Sequence, residues 1–331
     1  MPRIDEAQAA RVGSALRGAA ASYAASPEDF TDPRYYPDRG ADAETVAAYF
    51  LVMVAMDHRL SRPGRPYEAR LTGEGLYHGA DLLYRLGRRL LDQDPGFFSA
   101  ERLERVSVEE VRAWLCVGGA CPPDPGVRAA LLRDLGRKLR LLYGGSALRL
   151  LEESGGYLHT WSPEAPGLVE RLRLFEAYSD PVEKKAMLFA KFVERRGLLR
   201  VRDSWNKRVP VDNHLTRIAL RVGLVELEPG LWEKLRRGLE YTPWEDVALR
   251  VAVREAWHLA ARHAGVDDFL LDDLLWTMGR RVCVHGEPRC RRCSGHAACR
   301  GGECVLRPVC PVGLRVAEPV EEHLFLDTYW Y

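Results

Sequence analysis

Cys283, Cys290, Cys293 and Cys299 follow one another with the spacing C-x6-C-x2-C-x5-C, inside a stretch from 280 to 302 that also holds six arginines and one glutamate. Four soft thiolates so close together suit a metal better than a disulfide framework in a chain of this length that is expected to be cytoplasmic. Only Cys290 and Cys293 make the short C-x2-C knuckle usual for structural zinc. An iron–sulfur cluster tolerates the uneven spacing, because one segment wraps a single wide core. A [4Fe–4S] cluster, a zinc ion and unliganded thiols are the three readings. The stretch carries a side-chain charge of +5, and four thiolates around a 2+ core return about −2, leaving about +3 for an outside anion. Arg280, Arg281, Arg289, Arg291 and Arg292, with Arg300, are therefore candidate phosphate contacts. Arginines that merely offset the cluster's charge are the plainer alternative.

Asp212 precedes the amphipathic run Leu215, Ile218, Ala219, Val222, which Gly223 ends, so it reads first as a helix N-cap. A carboxylate there is held charged by the helix dipole, as a group stabilising a cationic sugar must be. The segment YSDPVEKKAMLFAKF offers Asp180 as N-cap, Pro181 at the first helical position and Glu183 at capping-box spacing, with Lys184 and Lys185 in the first turn. Two of only six lysines fall here. A nucleophilic amine would need desolvation; two solvated surface lysines are the alternative. Trp205, Trp232 and Trp244 are able to stack a base or to fill a core, and His58, His78 and His214 lack paired ligand spacing. Cys116, Cys121, Cys304 and Cys310 lie in Gly/Pro-rich loops with no assigned role.

The elements that must position these residues are helical. AERLERVSVEEVRAWL, VRAALLRDLGRKLRLLYGGSALRLLEES, LVERLRLFEAYS, EKKAMLFAKFVERRG and NHLTRIALRVGL each place apolar residues at i, i+3, i+4 and i+7. Strand alternation is scarce, and no repeat, P-loop, dinucleotide fingerprint or nucleophile elbow occurs. At 331 residues, 47% apolar and 29% charged, the chain has room for two domains, and its net charge of +1 supplies no global field for nucleic acid. The charged N-terminus and the short apolar run from 46 to 56 lead to the expectation of a cytoplasmic protein without membrane contact.

The segment LLWTMGRRVCVHGEPRCRRCSGHAAC resembles the iron–sulfur loop of endonuclease III and the adenine glycosylases, in the helix-hairpin-helix glycosylase superfamily. The likeness covers the last quarter of the chain. It implies a [4Fe–4S] cluster on Cys283, Cys290, Cys293 and Cys299, a catalytic Asp212 within VPVDNHLTRIALRVGL, and a Schiff-base lysine at Lys184, with Lys185 next in register. The family hairpin LPGVG is YSDPV here, without glycine and closer to the archaeal 8-oxoguanine glycosylases, so the glycine-dependent hairpin-to-phosphate contact of the family is not expected. From about 45 to 280 the order of segments, together with the aromatic end DTYWY, also resembles the queuosine-salvage N-glycosidases.

Both resemblances imply cleavage of an N-glycosidic bond. The expected fold is all-α and bilobal: a helical barrel over 45–180, and a second lobe from 1–44 with 181–331 that carries the cluster loop at 279–302, the active site lying in the cleft. The leading expectation is a monomeric DNA glycosylase of base excision repair, with or without lyase activity. A nucleoside N-glycosidase of the queuosine type and a non-catalytic iron–sulfur DNA-binding protein are the alternatives.

Overall fold

Helical periodicity becomes helix along most of the chain: the computed structural model, which describes residues 1–331, holds fourteen α-helices and only three two-stranded antiparallel sheets. No helix is long and apolar enough to cross a membrane. Two long sequence runs are each cut by local chemistry. One breaks into Ala100–Leu103 and Val108–Leu115 because Ser107 and Glu110 form a capping box. The other stops at Tyr143, where Gly144 takes a left-handed φ of 63°, and restarts at Ala147 under the Ser146 cap.

The chain divides into two compact units, Met1–Glu28 with Lys207–Leu326, and Asp29–Asn206 with Asp327–Tyr331. The boundaries differ from the expected 45–180 barrel, because 29–44 and 181–206 join the middle unit. Packing explains the shift. The Lys184–Arg195 helix buries Met187, Phe189 and Val193 completely, packs on Ala43–Met56, and sets the Phe192 ring 4.5 Å from Phe30 and 4.9 Å from Phe50. Ala43–Met56 is itself buried on all sides from Val46 onward, as its unbroken apolar run requires. In the same unit Cys116 and Cys121 form a disulfide.

In the terminal unit the Glu6–Ala24 helix lies along Pro243–Ala264. A Cβ on Gly13 would stand 2.3 Å from the Ala260 carbonyl oxygen, so only glycine admits this approach. Arg3–Ile4 adds a short strand against Val225–Glu226. The helices Asn213–Arg221 and Asp268–Arg281 are pressed together where a Cβ on Gly279 would lie 2.7 Å from the His214 Cβ.

Candidate metal centre and catalytic residues

Beyond Asp268–Arg281 the chain loops out and returns. Arg289 N donates to Val282 O at 2.7 Å, and Cys304 N to Cys290 O at 2.8 Å. Between them Cys299–Arg300 pairs with Glu303–Cys304 in a hairpin turned by Gly301 and Gly302, whose φ values are 59° and 82°. This hairpin carries the intervening residues outward and brings Cys304 back beside Cys290. Of the four expected ligands, Cys283 and Cys290 line one cavity, whereas Cys293 and Cys299 are bonded to each other in a disulfide. A different quartet converges instead. Cys283, Cys290, Cys304 and Cys310 are free, and all four line one cavity of about 30 Å³ walled by Ile218, Val222, Met278, Val282 and Leu306.

Each wall has a sequence reason. Ile218 and Val222 are on the apolar stripe of the Asn213–Arg221 helix and its C-cap, and Met278 and Val282 hold the same position at the end of Asp268–Arg281. Several N–H groups point at sulfur. Arg221 Nη1 lies 3.6 Å from Cys283 Sγ, Gly313 N donates to Cys310 Sγ at 3.3 Å, and the Leu306 and Val312 amides donate to Cys304 and Cys310. Burial pushes the Cys283 thiol up, Cys304 to about 12 and Cys310 to about 11, so these sulfurs stay protonated unless a metal claims them.

Arg217 and Arg221 fix this loop from below. Both are buried. Arg217 donates to Cys283 O at 3.1 Å and Gly279 O at 3.0 Å, and pairs with Glu322 at 2.8 Å. Arg221 donates to Val284 O at 2.7 Å, Gly286 O at 3.1 Å and Val320 O at 2.6 Å, and pairs with Glu321 at 2.9 Å. His285, Glu321 and Glu322 also bring ligand atoms within 4.8 Å of one another, but the two arginines already neutralise the carboxylates, which makes the group a clamp rather than a cation site.

Both arginines stand on the helix that Asp212 begins. Asp212 Oδ1 accepts from Leu215 N at 2.8 Å, the N-cap bond that its sequence context implies. Its carboxylate is half-buried and has no cation partner. The next residue is anchored: Arg250 donates to Asn213 Oδ1 at 2.9 Å and is itself paired with Asp246 at 2.8 Å. Burial opposes the Asp246 charge, but Arg250 and His323 still hold its carboxyl below the usual range. His214 accepts from Arg217 at 2.8 Å, and burial lowers its proton affinity.

No family model and no curated protein matches this chain.

The lysines differ from their expected setting. The helix starts at Lys184 rather than Pro181, because Glu183 takes a left-handed φ of 65° and turns its carboxylate to His159 and Arg173. Asp180 still caps, accepting from Lys184 N at 2.8 Å and Lys185 N at 3.2 Å. Lys184 Nζ donates to Asp57 O at 2.6 Å and stands 3.7 Å from the Asp57 carboxylate. Lys185 is the desolvated amine. Its Nζ lies 2.8 Å from Ala55 O, 2.7 Å from Tyr329 O and 3.2 Å from His58, and burial, followed by the Lys184 charge, pulls its pKa well below that of an ordinary lysine. Neither amine is open. Borohydride is therefore expected to trap no covalent adduct with an abasic oligonucleotide, and an adduct lost in Lys184→Ala would restore the lyase role.

Arg280 is half-buried with its guanidinium 4.4 Å over the Trp276 ring. Arg281, Arg289, Arg291, Arg292 and Arg300 are exposed, and none has a carboxylate partner. Trp205, Trp232 and Trp244 are exposed rather than core. Sequence periodicity gave no sign of Trp161, which is 71% exposed at a left-handed φ of 57° and stacks at 4.6 Å on the buried His159.

Proposed function

We propose that the chain is an N-glycosylase that removes a damaged or modified base from DNA and carries a [4Fe–4S] cluster. One observation carries this reading: the helix begun by the unpaired Asp212 carboxylate also bears the two buried arginines that clamp a loop lined by free thiols and rimmed by five unpaired arginines. Bound there, a cluster would tie the loop to one rigid core and leave its excess positive charge facing outward. The rim suits phosphates, which attract arginine irrespective of sequence. Asp212 suits the chemistry. As the C1′–N bond breaks, its electron pair leaves on the base, positive charge grows on the sugar, and a fixed carboxylate stabilises it. Water then bonds to C1′, and the proton it loses neutralises the departing base. The hydrogen bond of Lys184 to Asp57 O and its ion pair with the Asp57 carboxylate favour water over that amine.

The test is the triple change Arg289→Ala, Arg291→Ala, Arg292→Ala. The slope of log affinity for duplex DNA against log salt is expected to fall by roughly 2 to 3, with the change independent of sequence. An unchanged slope together with full activity on a free modified nucleoside would replace the DNA reading by a salvage N-glycosidase.

A further inference from the structure

Cys304 and Cys310 lie outside the C-x6-C-x2-C-x5-C run, but they share a cavity with two of its members. We infer that Cys283, Cys290, Cys304 and Cys310 are the ligands of a polynuclear iron–sulfur cluster, and that Cys293 and Cys299 are not. The inference rests on the cluster in the reading above and names the thiolates that hold it.

Convergence is the first ground. Four free cysteines from a span of 28 residues line one small cavity, while the other two cysteines of the loop use their valences on each other. Spacing is the second: the quartet reads C-x6-C-x13-C-x5-C, without the short knuckle of structural zinc.

The surroundings complete the fit. Binding turns each thiol into a thiolate and releases one proton per ligand. The new negative charge meets donors already aimed at it: Arg221 at Cys283, Leu306 at Cys304, and Val312 with Gly313 at Cys310. Hydrogen bonds to ligand sulfur both stabilise the thiolate and adjust the cluster's reduction potential. The apolar side chains of Ile218, Val222, Met278 and Leu306 keep water from the core.

The experiment measures iron and acid-labile sulfide per chain, with the visible spectrum, in anaerobically prepared full-length protein. Wild type and the double variant Cys293→Ala, Cys299→Ala are expected to hold about four irons, whereas Cys304→Ala and Cys310→Ala should lose most of theirs. Iron lost from the double variant and kept in Cys304→Ala would overturn the inference, as would one zinc and no iron in wild type. Should every variant lose iron or fail to fold, a non-reducing peptide map of iron-loaded wild type decides. A linked Cys293–Cys299 peptide with four thiols alkylated only after iron release supports the quartet; Cys293 and Cys299 freed together with the iron overturns it. Iron is counted whatever the excision assays show, so the two proposals fail separately.

Discussion

Asp212→Asn is expected to slow base excision by about 10²–10⁴-fold while leaving the Asn213–Arg221 helix in place. The substitution separates two roles that the position combines. As an N-cap, asparagine serves as well as aspartate, since its side-chain oxygen can still accept from Leu215 N. As a charge it does nothing for a cationic sugar. A thermal or urea midpoint close to wild type, with excision lost in a single-turnover assay, is the expected pair of results. Full excision by Asp212→Asn would leave the carboxylate a structural cap and place the charge-stabilising group elsewhere, whereas no excision by wild type would turn attention to an iron–sulfur protein that binds DNA without cutting the glycosidic bond.

The second large effect is on stability. Arg221→Met should destabilise the terminal unit by about 3–5 kcal/mol, because removing one partner of a buried ionic network leaves the rest without compensation. Three carbonyls, of Val284, Gly286 and Val320, would lose their donor together, and the Glu321 carboxylate would lose its guanidinium while keeping the Gly286 N–H at 2.6 Å. Arg221→Lys should rescue little, since an ammonium lacks the planar fork that reaches all of them. Urea unfolding followed by circular dichroism checks the size of the loss. A change below about 1 kcal/mol would class Arg221 with solvated surface arginines.

The helices were legible because burial on one face imposes a period of 3.6, and that period survives in NHLTRIALRVGL whatever the tertiary context. Asp212 as a cap was legible for the same local reason. The sulfur quartet was not. Spacing along the chain treats a loop as a continuous wrap, whereas the Gly301–Gly302 turn sends the chain back on itself and exchanges Cys304 for Cys293 beside Cys290. A signal did exist: paired glycines between cysteines at 299 and 304 mark a hairpin. The displaced boundary at 181–206 had no such mark, because the aromatic contacts of Phe192 with Phe30 and Phe50 are long-range. The burial of Lys185 had no local mark either, since its three partners come from 55, 58 and 329.

The split of the terminal unit into Met1–Glu28 and Lys207–Leu326 sets a schedule for synthesis. The Glu6–Ala24 helix emerges first, yet the surface it packs on, Pro243–Ala264, is made only after the whole of Asp29–Asn206. Gln8 shows the dependence on one side chain, reaching Val222 O at 2.5 Å and Val309 O at 2.6 Å. At roughly 5–20 residues per second the first helix waits about 12–48 s for Pro243–Ala264, long enough for the Asp29–Asn206 part of the middle unit to begin folding before it. The nascent chain thus carries an unpaired amphipathic segment ahead of a domain that still lacks Asp327–Tyr331, and it is during that interval, rather than in the mature protein, that a chaperone would find something to hold.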